Sequence, residues 1–261
     1  MTLRDALLRG RRRPHRFGAG SPTTYRGDGY EFVELRAYVP GDDVRRIDWA
    51  ATARAGDLQT RVVLEDVALT LAALVDDSPS MRVGRHEPLL RAARDAADIW
   101  FRVAASGDRC VRVGAGDISF YEPVETAPFD LRAALETAQA ALQRGTALLA
   151  ISDWHDLDED DTALLMRLGA RYDCTALVAR DPWFDGLPLG GMVRLRGAEG
   201  GALRAFIGRR ERERFALAVR RREDAMLARL ARAGWRTGIL HEGSGGPSLF
   251  EAFGVHSERA R

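Results

Sequence analysis

Three short side chains that carry oxygen atoms follow an apolar run in the first third of the chain. Asp76, Ser78 and Ser80 alternate in Asp-Asp-Ser-Pro-Ser, directly after the mostly apolar residues 67–75. Such a run, bounded by polar turn residues, is typical of a strand buried on both faces. Open α/β sheets bind ligands at the carboxyl ends of their strands, and one carboxylate with two hydroxyls suits Mg²⁺. The alternative is that Asp and Ser simply end the strand in a turn.

A second stretch, residues 30–65, is dense in charge around a tryptophan. It predicts two strands with a turn at Pro40-Gly41, because Pro presets φ and Gly allows a positive φ. The charged and aromatic residues around this turn are Arg36, Asp42, Asp43, Arg45, Asp48 and Trp49. Since Arg–carboxylate pairs commonly fix loop geometry, we favour a structural or partner-binding role here over an active site.

After the Asp-Ser loop, amphipathic helical patterns alternate with short apolar runs. Helical spacing recurs in 87–105, 131–142, 160–169 and 215–230, and strand-like runs occupy 110–113, 146–151, 172–179 and 235–240. This alternation predicts an α/β fold with a doubly wound, mostly parallel sheet. Residues 193–195 and 203–207 are expected to pair as a hairpin.

The same patterns divide the chain into four segments. We expect a basic arm and linker at 1–29, a β extension at 30–65, the sheet domain at 66–255 and a tail at 256–261. Because no flexible linker lies between residues 58 and 67, the β extension is predicted to pack on the sheet domain as added strands.

The residues of the first two stretches, in their order and spacing, resemble one bacterial family. The matching positions are Leu35, Arg36, Tyr38, Gly41, Asp42, Asp43, Arg45, Ile47, Asp48, Trp49, Ala53, Arg54 and 76–81. They are similar to the family called domain of unknown function fifty-eight, from about residue 25 to the C-terminus. The resemblance implies a von Willebrand A-like fold and a MoxR-type AAA+ ATPase as partner. Many members of that family carry transmembrane helices ahead of this domain, and none is expected here.

The Asp-Ser loop also resembles the metal-ion-dependent adhesion site of von Willebrand factor A domains. In that pattern, a Thr from a later loop and an Asp after a later strand complete the site. Asp153 matches the second Asp, although it would equally cap the acidic helix after it. Thr126 and Thr137 lie in the relevant interval, and neither has the expected Gly-Thr setting. The resemblance thus implies a weak or partner-dependent Mg²⁺ site made of Asp76, Ser78, Ser80 and Asp153.

Composition narrows the class of protein further. The 261 residues carry a net charge of +1 and no apolar run near the ~20 residues that span a membrane, so we expect a cytoplasmic protein without a nucleic-acid partner. Cys110 and Cys174 lack zinc spacing and are expected as buried thiols, not as a disulfide or a metal pair. Residues 204–222 carry eight arginines. Those of 209–222 are predicted on the solvated face of a helix, where Glu211, Glu213 and Glu223 can pair with neighbouring arginines at helical spacing.

Two functions of different classes remain open. The first is a non-enzymatic module that binds a MoxR-type ATPase and a client protein in the assembly or remodelling of protein complexes. The second is a metal-dependent phosphoesterase that holds its substrate with the arginines of 204–222. We favour the first, because a nucleophilic Ser78 or Ser80 needs a base, and the nearest one, His86, has no evident orienting acid. Paired hydroxyls also favour ligand capture over activation of water.

Overall fold

The computed structural model describes residues 2–8, 30–65, 68–116, 118–119, 129–187, 189–196 and 202–255. The chain divides into two compact units, Met1–Leu69 and Thr70–Arg261. The second unit starts four residues after residue 66, the predicted start of the sheet domain. Most of the basic arm and the whole tail, residues 9–29 and 256–261, lie outside the described residues.

The first unit contains a short helix and a two-stranded sheet. Helix α1 is Leu3–Leu8, and the antiparallel strands β1 and β2 are Tyr30–Ala37 and Gln59–Glu65. The two strands confirm the expected β character of residues 30–65. Helix α2, Trp49–Ala55, was not expected; it begins at Asp48, whose side chain accepts the N–H of Ala51 as an N-cap. The predicted packing of this segment on the sheet domain stays a prediction.

The second unit is built on a six-stranded sheet in the order β10-β7-β6-β3-β4-β5. Its strands are β3 Thr70–Val75, β4 Arg109–Val113, β5 Ile118–Ser119, β6 Ala147–Ser152, β7 Asp173–Ala179 and β10 Arg236–Leu240. All pairs are parallel except β4 with β5, which is antiparallel at the edge. The predicted fold class, a mostly parallel doubly wound α/β sheet, is confirmed.

Strand β3 lies inside the sheet, between β6 and β4. Leu71, Ala72, Ala73 and Leu74 are buried on both faces, as the apolar run predicts. The strand is shorter than that run, because it begins only at Thr70, after Ala68 and Leu69 in coil conformation. Its carboxyl end nevertheless coincides with the predicted end at Val75.

Helices cover both faces of the sheet. Helices α4 (Leu131–Ala141), α5 (Thr162–Arg171) and α6 (Arg209–Arg232) share one core with alternate residues of the strands. Helices α3 (Leu89–Arg102) and α7 (Gly245–Ala252) pack against each other outside that core. Gly245 permits their close approach, since a Cβ there would lie 2.1 Å from the carbonyl oxygen of Ala92.

Two further strands, β8 (Gly191–Arg196) and β9 (Ala202–Ile207), form a separate antiparallel hairpin between β7 and α6. This confirms the predicted pairing and lengthens it. Cys110 and Cys174 are both free thiols; Cys174 is buried as predicted, whereas Cys110 is only half-buried. Within the described residues, no helix combines the length and apolarity needed to cross a membrane.

Candidate functional site

The candidate site lies where the strand order of the sheet reverses. From β3 the chain runs through α3 to β4, on one side of this switch point. From β6 it runs through α5 to β7, on the other side. Because α3 and α5 lie on opposite faces of the sheet, a crevice opens beyond the carboxyl ends of β3 and β6. Ligands of open α/β sheets bind at such switch points. Asp76 follows β3 directly, and Ser152 and Asp153 end β6.

Asp76 is a buried carboxylate held by two hydrogen bonds. Only 1% of the residue is exposed. Its Oδ1 accepts the N–H of Ser78 at 2.8 Å, and its Oδ2 accepts the hydroxyl of Ser152 at 2.6 Å. Burial raises the pKa of Asp76 above its ordinary value, with a smaller contribution from the charge of Asp153, although the Ser152 and Ser78 hydrogen bonds oppose the shift. Among the described residues, no cationic side chain forms an ion pair with it.

The two serines of the loop meet at hydrogen-bond distance. The hydroxyl oxygens of Ser78 and Ser80 are 2.8 Å apart. Between and after them, Pro79–Arg82 forms a turn of 3-10 helix, and the completely buried Met81 anchors this turn. Proline is well placed at the start of the turn, because a first helical residue has no intrahelical partner for an N–H. The loop therefore holds the three predicted oxygen side chains as one cluster.

Asp153 lies at the end of the neighbouring strand and turns toward His155. Its Oδ1 accepts the N–H of His155 at 3.0 Å, and its Oδ2 lies 3.5 Å from Nδ1 of that residue. It does not cap the next helix, since α5 begins at Thr162 with Asp161 before it. Asp153 is thus close enough to Asp76 to affect its pKa, but no direct hydrogen bond links it to the cluster in the described structure.

Trp154 gives this strand end its shape. Its φ of 59° lies in the left-handed region, which costs a non-glycine residue about 1–2 kcal/mol. The buried indole offsets this cost by packing edge-to-face on Trp235, 5.6 Å between ring centroids, and by donating Nε1–H to the carbonyl of Leu177. Its backbone N–H also donates to the Ser152 hydroxyl at 3.0 Å. The strained turn therefore helps to aim Ser152 at Asp76.

Ser152 is a site residue that the sequence prediction missed. Its hydroxyl joins the Asp76 cluster from a position 76 residues later in the chain. The available signal was the tripeptide Ile-Ser-Asp at a strand end, where only the Asp matched the expected pattern. The candidate Thr residues do not take its place. Thr137, inside α4, donates to the carbonyl of Ala133 and accepts the N–H of Gly116, and Thr126 lies outside the described residues.

A carboxylate from the far end of the sheet fixes the loop before α3. Glu242, just after β10, accepts the backbone N–H groups of Arg85 and Glu87 at 2.8 and 2.6 Å, and also that of His86. Burial alone would raise the pKa of Glu242, but these N–H groups together hold it below its ordinary value. The backbone N–H of His86 therefore helps to hold this loop against Glu242.

The charged stretch of the first unit is a set of caps and ion pairs. Arg36 Nη2 lies 2.6 Å from Asp42 Oδ1, and Arg61 Nε lies 2.8 Å from Asp48 Oδ2. The hydrogen bond from Arg36 is the main reason that the pKa of Asp42 is lowered. The side chain of Asp43 accepts the N–H of Arg45 and caps a 3-10 turn.

Trp49 differs from the charged residues of this stretch, because 68% of it is exposed. The carboxylates of this stretch therefore hold loops and helix starts within the unit, whereas the Trp49 indole is mostly exposed.

In the part of the chain that the structure describes, no three His, Cys, Asp or Glu side chains are grouped so that they could hold a metal ion. Any cation at the switch point would thus depend on hydroxyl oxygens and at most two carboxylates. These features define a class of protein: α/β proteins with a mostly parallel sheet and an Asp-x-Ser-x-Ser cluster at its switch point.

Residues 34–127 and 117–225 match the family described as Protein of unknown function DUF58. The chain belongs to this family. Over 206 residues it is 33% identical to Uncharacterized protein Rv1480 of Mycobacterium tuberculosis and to Uncharacterized protein Mb1516 of Mycobacterium bovis. These matches cover 69% of this chain and 64% of each relative.

Two solved structures are more distant from this chain. A serine-substituted variant of an aerotolerance-related membrane protein from Bacteroides fragilis is 15% identical with a TM-score of 0.44, covering 72% of this chain and 99% of that one. The conserved hypothetical protein BatB from Bacteroides thetaiotaomicron is 14% identical with a TM-score of 0.41, covering 70% and 97%. Likeness at this level does not define a shared function.

Proposed function

We propose that this chain is a non-enzymatic protein-binding module that captures a partner at the switch point of its sheet, with a divalent cation in the site. The partner that the family resemblance implies is a MoxR-type AAA+ ATPase, which would act with this chain on client proteins in the cytoplasm. The observation that carries the proposal is the cluster of Asp76, Ser78, Ser80 and Ser152. Hydrogen bonds join Ser78 to Ser80 and Ser152 to Asp76 through their side chains, and the Ser78 N–H joins the two pairs by donating to Asp76.

The spacing of the two serines supports a hard cation. Mg²⁺ binds oxygen at about 2.0–2.1 Å in octahedral geometry, so adjacent ligands lie about 2.9 Å apart. The Ser78 and Ser80 hydroxyl oxygens, 2.8 Å apart, fit two adjacent positions. The buried Asp76 also fits, because a carboxylate without a cationic neighbour gains most from a nearby positive charge.

Each side chain has a separate task in this proposal. Ser78 and Ser80 would hold the cation through their hydroxyl oxygens, and Asp76 would keep the loop in place through the Ser78 N–H while supplying negative charge. Asp153 would add a second negative charge from the next strand. A bound Mg²⁺ would supply an open coordination position for a carboxylate of the partner. The low number of carboxylates predicts weak binding of the metal until that partner group arrives.

The alternative, a metal-dependent phosphoesterase, usually needs several carboxylates around one or two metal ions. No group of three such side chains occurs in the described part of the chain. No specific observation therefore favours this alternative over binding.

A pull-down with purified proteins tests the proposed function. The immobilised chain should retain the cognate MoxR-type ATPase, free of nucleotide, in Mg²⁺ and release it in a chelator. Removal of nucleotide matters, because the ATPase itself binds Mg²⁺ with ATP. Ser78→Ala combined with Ser80→Ala should lose retention, and Ser106→Ala, on an exposed loop, is the matched control. Retention that survives both the chelator and the double substitution would refute the metal-dependent part of the proposal.

A further inference from the structure

The hairpin of β8 and β9 has one open face and an opposite face that is covered only in part, because Leu203 on that opposite face is 63% exposed. Side chains alternate between the faces of a strand, and the register pairs Met192 with Phe206 and Arg194 with Arg204. All four of these residues are exposed, with 75% of Met192 and 64% of Phe206 accessible. On the opposite face, Ile207 is buried and Val193 is half-buried.

The open face is more apolar than is usual for a sheet face that contacts only water. Antiparallel sheets normally place polar residues on their solvated face, yet here a Met and a Phe lie directly opposite each other. The next pair on this face is two arginines, and like charges directly opposite destabilise a hairpin. Among the described residues, no salt bridge joins Arg194 or Arg204 to a carboxylate. A bound carboxylate would convert this repulsion into two attractions.

We propose that the open face of the β8–β9 hairpin binds an extended acidic segment of another protein. The apolar pair and the arginine pair are two residues apart along each strand, or about 7 Å. An extended segment with a large apolar side chain and a carboxylate two positions apart matches this spacing. The surface is separate from the Asp76 cluster, and its binding requires no metal.

A protein segment fits this face better than a membrane surface. The apolar pair lies near the ends of the strands that adjoin Gly190 and α6, away from the connection at 197–201. That connection has the sequence Gly-Ala-Glu-Gly-Gly, which offers no large apolar side chain for insertion into lipid and adds an acidic one.

Selection from a displayed library of random 12-residue peptides, run in a chelator, tests the proposal independently of the metal site. We expect enrichment of Asp or Glu two positions from Phe, Leu or Met. The best peptide should bind the Arg194→Glu, Arg204→Glu double variant at least about tenfold more weakly than the unmodified chain, because both attractions become repulsions. The charge-matched control is Arg210→Glu with Arg221→Glu, two exposed arginines of α6, and it should change affinity less than about twofold.

Reversal of charge in the peptide gives a second readout. A peptide with Lys in place of the acid should bind the double variant more tightly than it binds the unmodified chain. Enrichment without an acidic residue, no enrichment at all, or equal loss in the control variant would overturn the proposal. The proposal would also be overturned if the Arg194→Glu, Arg204→Glu variant, unlike the control variant, lost binding to anionic vesicles or lost self-association and kept its affinity for the peptide.

Discussion

At the scale of single residues, Asp76 is buried, and each of its two carboxylate oxygens accepts a hydrogen bond. An ionised carboxylate that is 1% exposed and has no ion pair among the described residues is costly to bury. Its hydrogen bonds to Ser78 and Ser152 offset only part of that cost. Sites that destabilise the empty protein in this way often gain stability when a ligand of opposite charge binds.

Two substitutions of Asp76 should therefore behave differently. Asp76→Asn keeps an acceptor for Ser78 and removes the buried charge, so its thermal midpoint at neutral pH in a chelator should exceed that of the unmodified chain. Asp76→Ala leaves the Ser78 N–H and the Ser152 hydroxyl without their partner and should lose about 1–3 kcal/mol. Thermal and urea unfolding measure both. An Asn variant as unstable as the Ala variant would show that the negative charge itself stabilises the loop.

Glu223 offers a second test at this scale, because its ion pair is largely buried and joins α6 to Arg180, whereas the Glu213 pair with Arg209 is exposed and lies within α6. Glu223 is 9% exposed and binds Arg180 through two hydrogen bonds of 2.7 and 3.0 Å. The sequence predicts that Glu223 pairs with arginines of its own helix, whereas the structure pairs it with Arg180, which follows β7. Glu223→Ala should lose about 2 kcal/mol, since Arg180 would remain half-buried without its partner. Glu213→Ala, which breaks the exposed pair with Arg209, should lose far less, because solvent screens that pair. Equal losses in urea unfolding would contradict the burial argument.

At the scale of elements, Glu242 ties the carboxyl end of β10 to the loop that leads into α3. The N–H groups of Arg85, His86 and Glu87 converge on this one carboxylate. This connection links the two sides of the sheet near the candidate site. The contact spans more than 150 residues of sequence, as the separations of 155 to 157 show.

The Glu242 contact predicts a pH-dependent stability. Its folded-state pKa is lowered, so its contribution is present above the ordinary pKa of Glu and is lost as pH falls through the lowered value. Glu242→Gln should destabilise the protein by about 1 kcal/mol at neutral pH, a figure kept small because the group is only half-buried. The difference should vanish in acid. Thermal unfolding from pH 7 to pH 3 measures this, with the exposed Glu159→Gln as control. A difference that persists in acid would contradict it.

At the scale of the whole molecule, one organisational prediction stays open. We expect residues 30–65 to support the sheet domain, because no flexible linker separates the two in the sequence. A chain that begins at residue 66 should then unfold at a lower temperature than the full chain. If the shortened chain is equally stable in thermal unfolding, the first unit is an independent appendage.

Local patterns and distant contacts differ in how well the sequence predicts them. The buried run that ends at Val75 predicts both a central strand and the loop oxygens of Asp76, Ser78 and Ser80, because all of these lie within a few residues. Ser152, Glu242 and the Arg180 partner of Glu223 were not predicted, because tertiary pairing alone brings them to their contacts. The open face of the hairpin depends on register, which the alternation of residues alone leaves undetermined.

The most direct test of the central claim is the coupling between metal and partner. The affinity of the chain for Mg²⁺ should be measured by calorimetry with and without the nucleotide-free ATPase, and the affinity for the ATPase with and without Mg²⁺. The two enhancement factors must be equal wherever the sites lie, since coupling free energy is reciprocal, so their equality checks the measurements and their size tests the claim. We expect equal factors of about 5–150 in the unmodified chain, and a factor of one after Ser78→Ala with Ser80→Ala. A factor of one in the unmodified chain would contradict the claim that a metal in this site captures the partner.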